Sequence, residues 1–199
     1  MELIVYIILI LTSVVGLTFI IERGLALRWA KVLPPSIEAA VRACRNREEV
    51  GTLQRVCDQH PSALGRILLL AVTHLDWPKA ETVDAIQTQA RHEILRLERG
   101  LVVLEIIVGI APLLGLVGTI AGMMSLFGGL GDTGLSDTAA LAKGIGLILN
   151  ATLMGLLIAI PCLIFWSYYN KKVETMAVEM ETLCDEFLRR QYRSAANGS

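Results

Sequence analysis

The sequence predicts an all-α membrane protein with three transmembrane helices, and three observations carry that expectation. Of the 199 residues, 54% are hydrophobic and the mean hydropathy is +0.57, more apolar than an ordinary soluble domain. Three stretches carry no charge, Leu3 to Ile21, Ile106 to Gly131 and Gly144 to Asn170. Each is close to or beyond the roughly 20 apolar residues that cross about 30 Å of hydrocarbon as a helix. Basic residues also gather on one side: Arg23, Arg28 and Lys31 follow the first stretch, Arg91, Arg96 and Arg99 precede the second, and Lys171 and Lys172 follow the third. By the positive-inside rule those flanks are cytoplasmic and the N-terminus lies outside.

Residues 1–22 are expected to form the first transmembrane helix. It is read as an uncleaved anchor, because no basic segment precedes its apolar stretch and no small-residue cleavage site follows. Residues 23–100 are expected to form a cytoplasmic helical region. Pro34 and Pro35 break the chain there, and Ser36 can cap a new helix by accepting from free first-turn N–H groups. Short helices follow to about Leu75, with breaks at His60-Pro61 and Trp77-Pro78, since the residue before a proline is pushed out of the helical region.

From Lys79 no breaker occurs before Pro112, and apolar residues recur at helical spacing through Val83, Ile86, Ala90, Ile94, Leu97, Leu101 and Leu104. The second transmembrane helix, 101–128, is therefore expected to end one long helix that begins well inside the cytoplasm. A short outer loop, 129–140, follows, and Gly128-Gly129-Leu130-Gly131 is read as a flexible turn. The third span, 141–170, continues into a cytoplasmic C-terminal helix and tail, 171–199, where Val173, Met176, Met180, Leu183 and Phe187 repeat the helical stripe. The two long helices are expected to pack together as bundle core.

Inside the spans the side chains are small: Ala111, Gly115, Gly118 and Gly122 in the second, Gly144, Ala151, Gly155 and Ala159 in the third. In lipid, helices associate by close approach across such residues. One chain has too few spans to cover both surfaces, so an oligomer is expected. Polar groups in the apolar interior are few. Thr119, Ser125, Asn150 and Thr152 either bond a carbonyl one turn back, bond a neighbouring helix, or line a wet path. Pro112 and Pro161 each remove an intrahelical bond, as tolerated kinks or as sources of free carbonyls.

The second span reads Ala111-Pro112-Leu113-Leu114-Gly115-Leu116-Val117-Gly118-Thr119, then Gly122-Met123-Met124 and Phe127. The third reads Gly144-Ile145, Ala151-Thr152, Gly155-Leu156 and Ala159-Ile160-Pro161, with Asn170 at its end. From about Arg99 to Lys172 this closely resembles the ExbB/TolQ/MotA proton-channel family, nearest to its three-span ExbB and TolQ branch. The resemblance implies an oligomeric ring, a pentamer of this subunit, around a dimer of a single-span ExbD- or TolR-like partner whose membrane aspartate carries the proton. It implies a stator of a proton-driven motor in a bacterial inner membrane, passing force through a TonB- or TolA-like protein to outer-membrane transport or envelope processes. Thr119 and Thr152 match the family's pore threonines. Gly115, Gly118 and Gly155 take helix packing, and Pro112 and Pro161 the kinks. The family usually carries a glutamate five residues before the second pore threonine; Leu147 occupies that place here, with Asn150 the nearest polar residue, and both are counted with the two threonines as candidates to line the ion path.

Other signals carry less. Charge is balanced, 18 Lys and Arg against 19 Asp and Glu, so no basic field points to nucleic acid. Three of the four cysteines are expected in the cytoplasm and Cys162 in a span, so no disulfide framework is expected. Cys57 and His60 have a metal-like spacing without a second pair, and no phosphate loop or hydrolytic constellation is present, so neither metal, cofactor nor enzymatic activity is expected. His92 is expected on a polar helix face. Glu105, near the start of the second span, is explained by interfacial solvation or by pairing with Arg99, with a gate at the cytoplasmic mouth as the alternative. Beside the motor subunit, a non-conducting scaffold ring and a MotA-type flagellar stator are the alternatives; the latter generally has four spans. A neighbouring gene for a short single-span protein with a membrane aspartate would favour the motor over the scaffold.

Overall fold

A backbone in hydrocarbon must satisfy its polar groups internally, and helices do so. In the computed structural model, which describes residues 2–133 and 138–197, the three uncharged stretches are indeed helical: α1 (Glu2–Ala26), α7 (Leu101–Thr133) and α8 (Thr138–Asn197). All three are long and apolar enough to cross a membrane. Between α1 and α7 lie α2 (Trp29–Val32), α3 (Pro35–Ala43), a single 3₁₀ turn (Arg47–Glu49), α4 (Val50–Gln59), α5 (Ala63–Thr73) and α6 (Lys79–Glu98). Among the described residues the fold is all helix and connecting turn.

The chain divides into two compact units. The first comprises Met1–Arg23 and Gly100–Tyr168, that is, α1, α7 and the first half of α8. Its interior is a narrow seam of Leu9, Leu104, Ala111, Ala151, Ile158 and Cys162. Its outer faces are as apolar as the seam, with Leu113, Leu116, Ile120, Met124, Leu149 and Leu153 all exposed, the all-round apolarity of helices solvated by lipid.

The second unit comprises Gly24–Arg99 and Tyr169–Ser199. Its core draws Leu33 and Ile37, Val41, Leu53 and Cys57, Leu64, Ile67 and Leu68, and Met176, Met180, Leu183 and Phe187 into one cluster. The C-terminal stripe is buried as its periodicity predicts, Val173 included. The α6 stripe is buried at Ile86, while Val83, Ala90, Ile94 and Leu97 are partly buried against the same cluster. The packing is thus not between two long helices alone. Helix α5 supplies six buried residues and packs against α4 and α6, with α3 packed on α4 and the end of α8 joining the same core.

Three local expectations are corrected. The proposed cap at Ser36 is absent: α3 starts at Pro35 with no side-chain cap, because proline's fixed φ and missing N–H suit the first helical position. The side-chain cap in this region is Ser62, whose Oγ accepts from the Gly65 amide at 3.0 Å. The single long helix expected from Lys79 is interrupted at Arg99 and Gly100. A Cβ at Gly100 would collide with the Arg23 side chain, so the glycine there admits the Arg23 guanidinium where any other residue would displace it. Finally, Gly128 to Gly131 lies within α7 rather than in a turn; helical backbone tolerates glycine at about 1 kcal/mol per residue relative to alanine. Of the expected loop 129–140, residues 134–137 lie outside the described residues, and the flanking ones are helical.

Candidate functional site

The candidate site lies in the first unit, where α7 and α8 meet through glycines. A Cβ at Gly115 would lie 2.9 Å from both the Ala151 carbonyl oxygen and the Thr152 Cα; at Gly155, 2.6 Å from the Ala111 carbonyl oxygen; at Gly118, 2.7 Å from the Ala151 Cβ and 3.1 Å from a Val5 methyl. Backbone therefore touches backbone, with α1 closing the third side. Gly16 on α1 repeats the device: a Cβ there would lie 2.9 Å from Cys162 Sγ. The small residues at Ala111, Gly115, Gly118, Ala151 and Gly155 are thus engaged in the close helix approach expected of them, here within one chain. Gly109 and Gly146, by contrast, face open space.

This close approach positions the two threonines. Thr152 is half-buried, and its hydroxyl donates across the helix pair to the Gly115 carbonyl oxygen at 3.3 Å. Thr119 follows the local alternative, its hydroxyl donating to Leu116 O at 2.7 Å, three residues back. Because α7 is α-helical here, the Thr119 amide is directed at the carbonyl four residues back, which is again that of Gly115. One carbonyl oxygen therefore receives both the Thr119 backbone and the Thr152 side chain. Each hydroxyl keeps its lone pairs as acceptors.

The structure does not bring the other predicted residues to this point. Asn150 is exposed; two residues from Thr152 on a helix of 3.6 residues per turn, it is turned about 160° away. The backbone of Leu147 is part of α8, and its side chain lies outside the described residues. Ser125 is exposed near the far end of α7. Pro112 and Pro161 both sit inside their helices, leaving the carbonyls of Val108 and Leu157 without the intrahelical partner proline cannot supply. Glu105 is exposed and makes no ion pair with Arg99.

Sequence reasoning missed one charged group of the second unit. Glu93 is 1% exposed; the Arg66 guanidinium donates to it through Nε at 2.9 Å and Nη2 at 2.5 Å, with Arg96 and Gln89 adding bonds. Burial pushes the carboxyl pKa up, but the Arg66 bonds and charge, with Arg96 and Gln89, outweigh it and hold the group below its ordinary range. The same pairing raises Arg66. The spacing of Glu93 and Arg96, three residues apart on one helix, was a legible signal; the reach to Arg66 was not. His92 is exposed on α6, as expected, and all four cysteines are free and buried.

The MotA/TolQ/ExbB proton channel family matches residues 59–182, a segment that holds both threonines and every glycine of the α7–α8 contact. An ExbB-like 1 biopolymer transport protein of Synechocystis sp. is 34% identical over 165 residues, covering 78% of this chain and 63% of the relative. An ExbB homologue of Methanothermobacter thermautotrophicus is 30% identical over 156 residues, covering 77% of this chain and 54% of its own length. The biopolymer transport protein ExbB of Aquifex aeolicus is 29% identical over 108 residues, 54% of this chain and 72% of the relative. The chain thus spans less than two thirds of the length of the first two.

Proposed function

Because this chain belongs to the MotA/TolQ/ExbB proton channel family and is a multi-pass membrane protein, we propose that it is the channel and stator subunit of a proton-driven motor of the bacterial inner membrane. In this reading its N-terminus is periplasmic and its C-terminus cytoplasmic, with 1–22, 101–128 and 141–170 in the bilayer. Five copies form a ring around a dimer of an ExbD- or TolR-like single-span protein, and a TonB- or TolA-like protein carries force to outer-membrane transport or envelope processes.

The observation that carries the proposal is the pair of threonines joined at the Gly115 carbonyl, in spans that hold no charge between Ile106 and Gly131 or between Gly144 and Asn170. A carboxylate at mid-bilayer is expensive, and a strongly basic partner would trap it there. Hydroxyls that keep acceptor lone pairs and can turn as donors satisfy a protonated or ionised acid, or a water, without holding it. The proton carrier in this scheme is the partner's aspartate, so this chain alone conducts poorly. Of the four candidates, this proposal places Thr119 and Thr152 on the path; Gly115, Gly118 and Gly155 hold the wall they stand on.

The test is proton flux, followed with a pH-sensitive dye in proteoliposomes containing this protein and its single-span partner. Flux should require the partner and fall in Thr152→Val. An assembled complex that never conducts, even with its cargo receptor supplied, would overturn the motor reading in favour of a scaffold.

A further inference from the structure

The second unit contains a cavity of about 510 Å³ that plays no part in the proposed ion path. Its walls combine two kinds of surface. Ala26, Val32, Pro34 and Leu97 are apolar, whereas Lys31, Gln59, His60 and Arg66 are polar and basic. Ala26 is the last residue of α1, four residues beyond the proposed span 1–22, so the cavity begins about one helical turn from the point where, on that reading, the chain leaves hydrocarbon.

The polar groups around it converge without internal partners. Among the described residues the Lys31 ammonium, the His60 ring and the Gln59 amide make no hydrogen bond or ion pair. Arg66 is held by Glu93 through Nε and Nη2, which fixes its plane and leaves Nη1 unused. Glu93 is the acidic group facing this arginine, and Arg96 also bonds it at 3.0 Å, so two arginines share one carboxylate and Lys31 adds a further cation. Helix α5 begins at the same wall, its Ser62 cap and Ala63 lining the cavity, and its positive end adds to that field.

We propose that this cavity binds the phosphate of an anionic phospholipid head group, with Lys31, His60 and the free edge of Arg66 as donors to the phosphate and the apolar wall against the glycerol and first acyl carbons. The volume fits a head group, being within the range of about 300–1,000 Å³ typical of ligand pockets. A planar arginine edge beside a lysine is the donor set that phosphate oxygens take.

The experiment uses the full chain in detergent and counts retained lipid by native mass spectrometry after equilibration with phosphatidylglycerol or phosphatidylcholine. Wild type should retain phosphatidylglycerol in preference. Lys31→Gln should weaken retention roughly fivefold, the effect of about one basic residue at a charged lipid surface, and Lys31→Gln with His60→Gln further. Arg28→Gln removes the same charge three residues away without touching the cavity and should leave retention unchanged. Equal loss in Arg28→Gln and Lys31→Gln would overturn the site in favour of diffuse surface attraction, as would retention that does not distinguish the two lipids. Displacement of the lipid by millimolar inorganic phosphate would overturn the head-group assignment and leave a free-phosphate site.

Discussion

Replacing Gly155 by alanine tests the helix contact on which the candidate site is built. The new Cβ would lie 2.6 Å from the Ala111 carbonyl oxygen, and moving it to an optimal separation of about 3.5 Å parts α7 and α8 locally by roughly 0.9 Å. A gap of that size forfeits between a quarter and a half of each dispersion contact across it. The 3.3 Å bond from Thr152 to Gly115 would stretch past bonding distance, a loss of about 0.6 kcal/mol by the mean for interhelical bonds in membranes. Overpacking of this kind destabilises by about 1–3 kcal/mol, offset by up to about 1 kcal/mol from alanine's better helix propensity. Gly146→Ala is the internal control, since it lies on the same helix with nothing near its missing Cβ, and it should be neutral or slightly stabilising. The assay is reversible unfolding in mixed micelles with increasing denaturing detergent, following helicity. Gly155→Ala should unfold earlier than Gly146→Ala by about 2–3 kcal/mol, the packing loss together with the bond loss, since the propensity gain is common to both variants. If the two variants unfold together, the backbone-to-backbone contact does not hold the spans.

Other perturbations separate the remaining roles. Asn150→Val should leave proton flux as in wild type while Thr152→Val lowers it, because the two side chains leave α8 in different directions; equal losses in the dye assay would place both on the path. Glu93→Gln should destabilise the protein by about 1–3 kcal/mol, the range for a buried bonding group left without its partner, measured as a drop in the thermal midpoint. Since Glu93 is held below its ordinary pKa when folded, its contribution is complete above the unfolded value of about 4.3 and is lost as pH falls below that. The wild type should therefore lose stability through that window and Glu93→Gln should lose less. Cys57, buried and with its thiol pKa pushed up to about 11 by burial and the nearby Asp58, should resist maleimide at pH 7 in the native protein and react on unfolding; rapid native labelling followed by peptide mapping would contradict the packing of α4.

The spans were legible because twenty uncharged residues integrate a signal that no local contact can reverse, and the stripe from Val173 to Phe187 was legible because its period is set by one buried face. What was not legible depended on partners distant in sequence. The proximity of Gly100 to the Arg23 side chain, more than seventy residues earlier, is invisible in the local pattern, and the sequence shows that the small residues of α7 and α8 allow close approach without showing which helix each one meets. Both candidate threonines were found, but their hydroxyls take different routes, local for Thr119 and across helices for Thr152; sequence offers both routes for any such residue. Asn150 and Thr152, two residues apart, leave the helix in different directions, and only the flux of their variants can say which of them meets the path.

The doubly addressed carbonyl of Gly115 has a use in spectroscopy. An amide C=O that accepts two donors vibrates at lower frequency than its singly bonded neighbours, and isotopic labelling of that one carbonyl would lift its band clear of the rest of the helix. The band then reports whether the Thr152 hydroxyl is seated on that carbonyl or turned away from it, as a frequency shift at an atom that itself never leaves the helix.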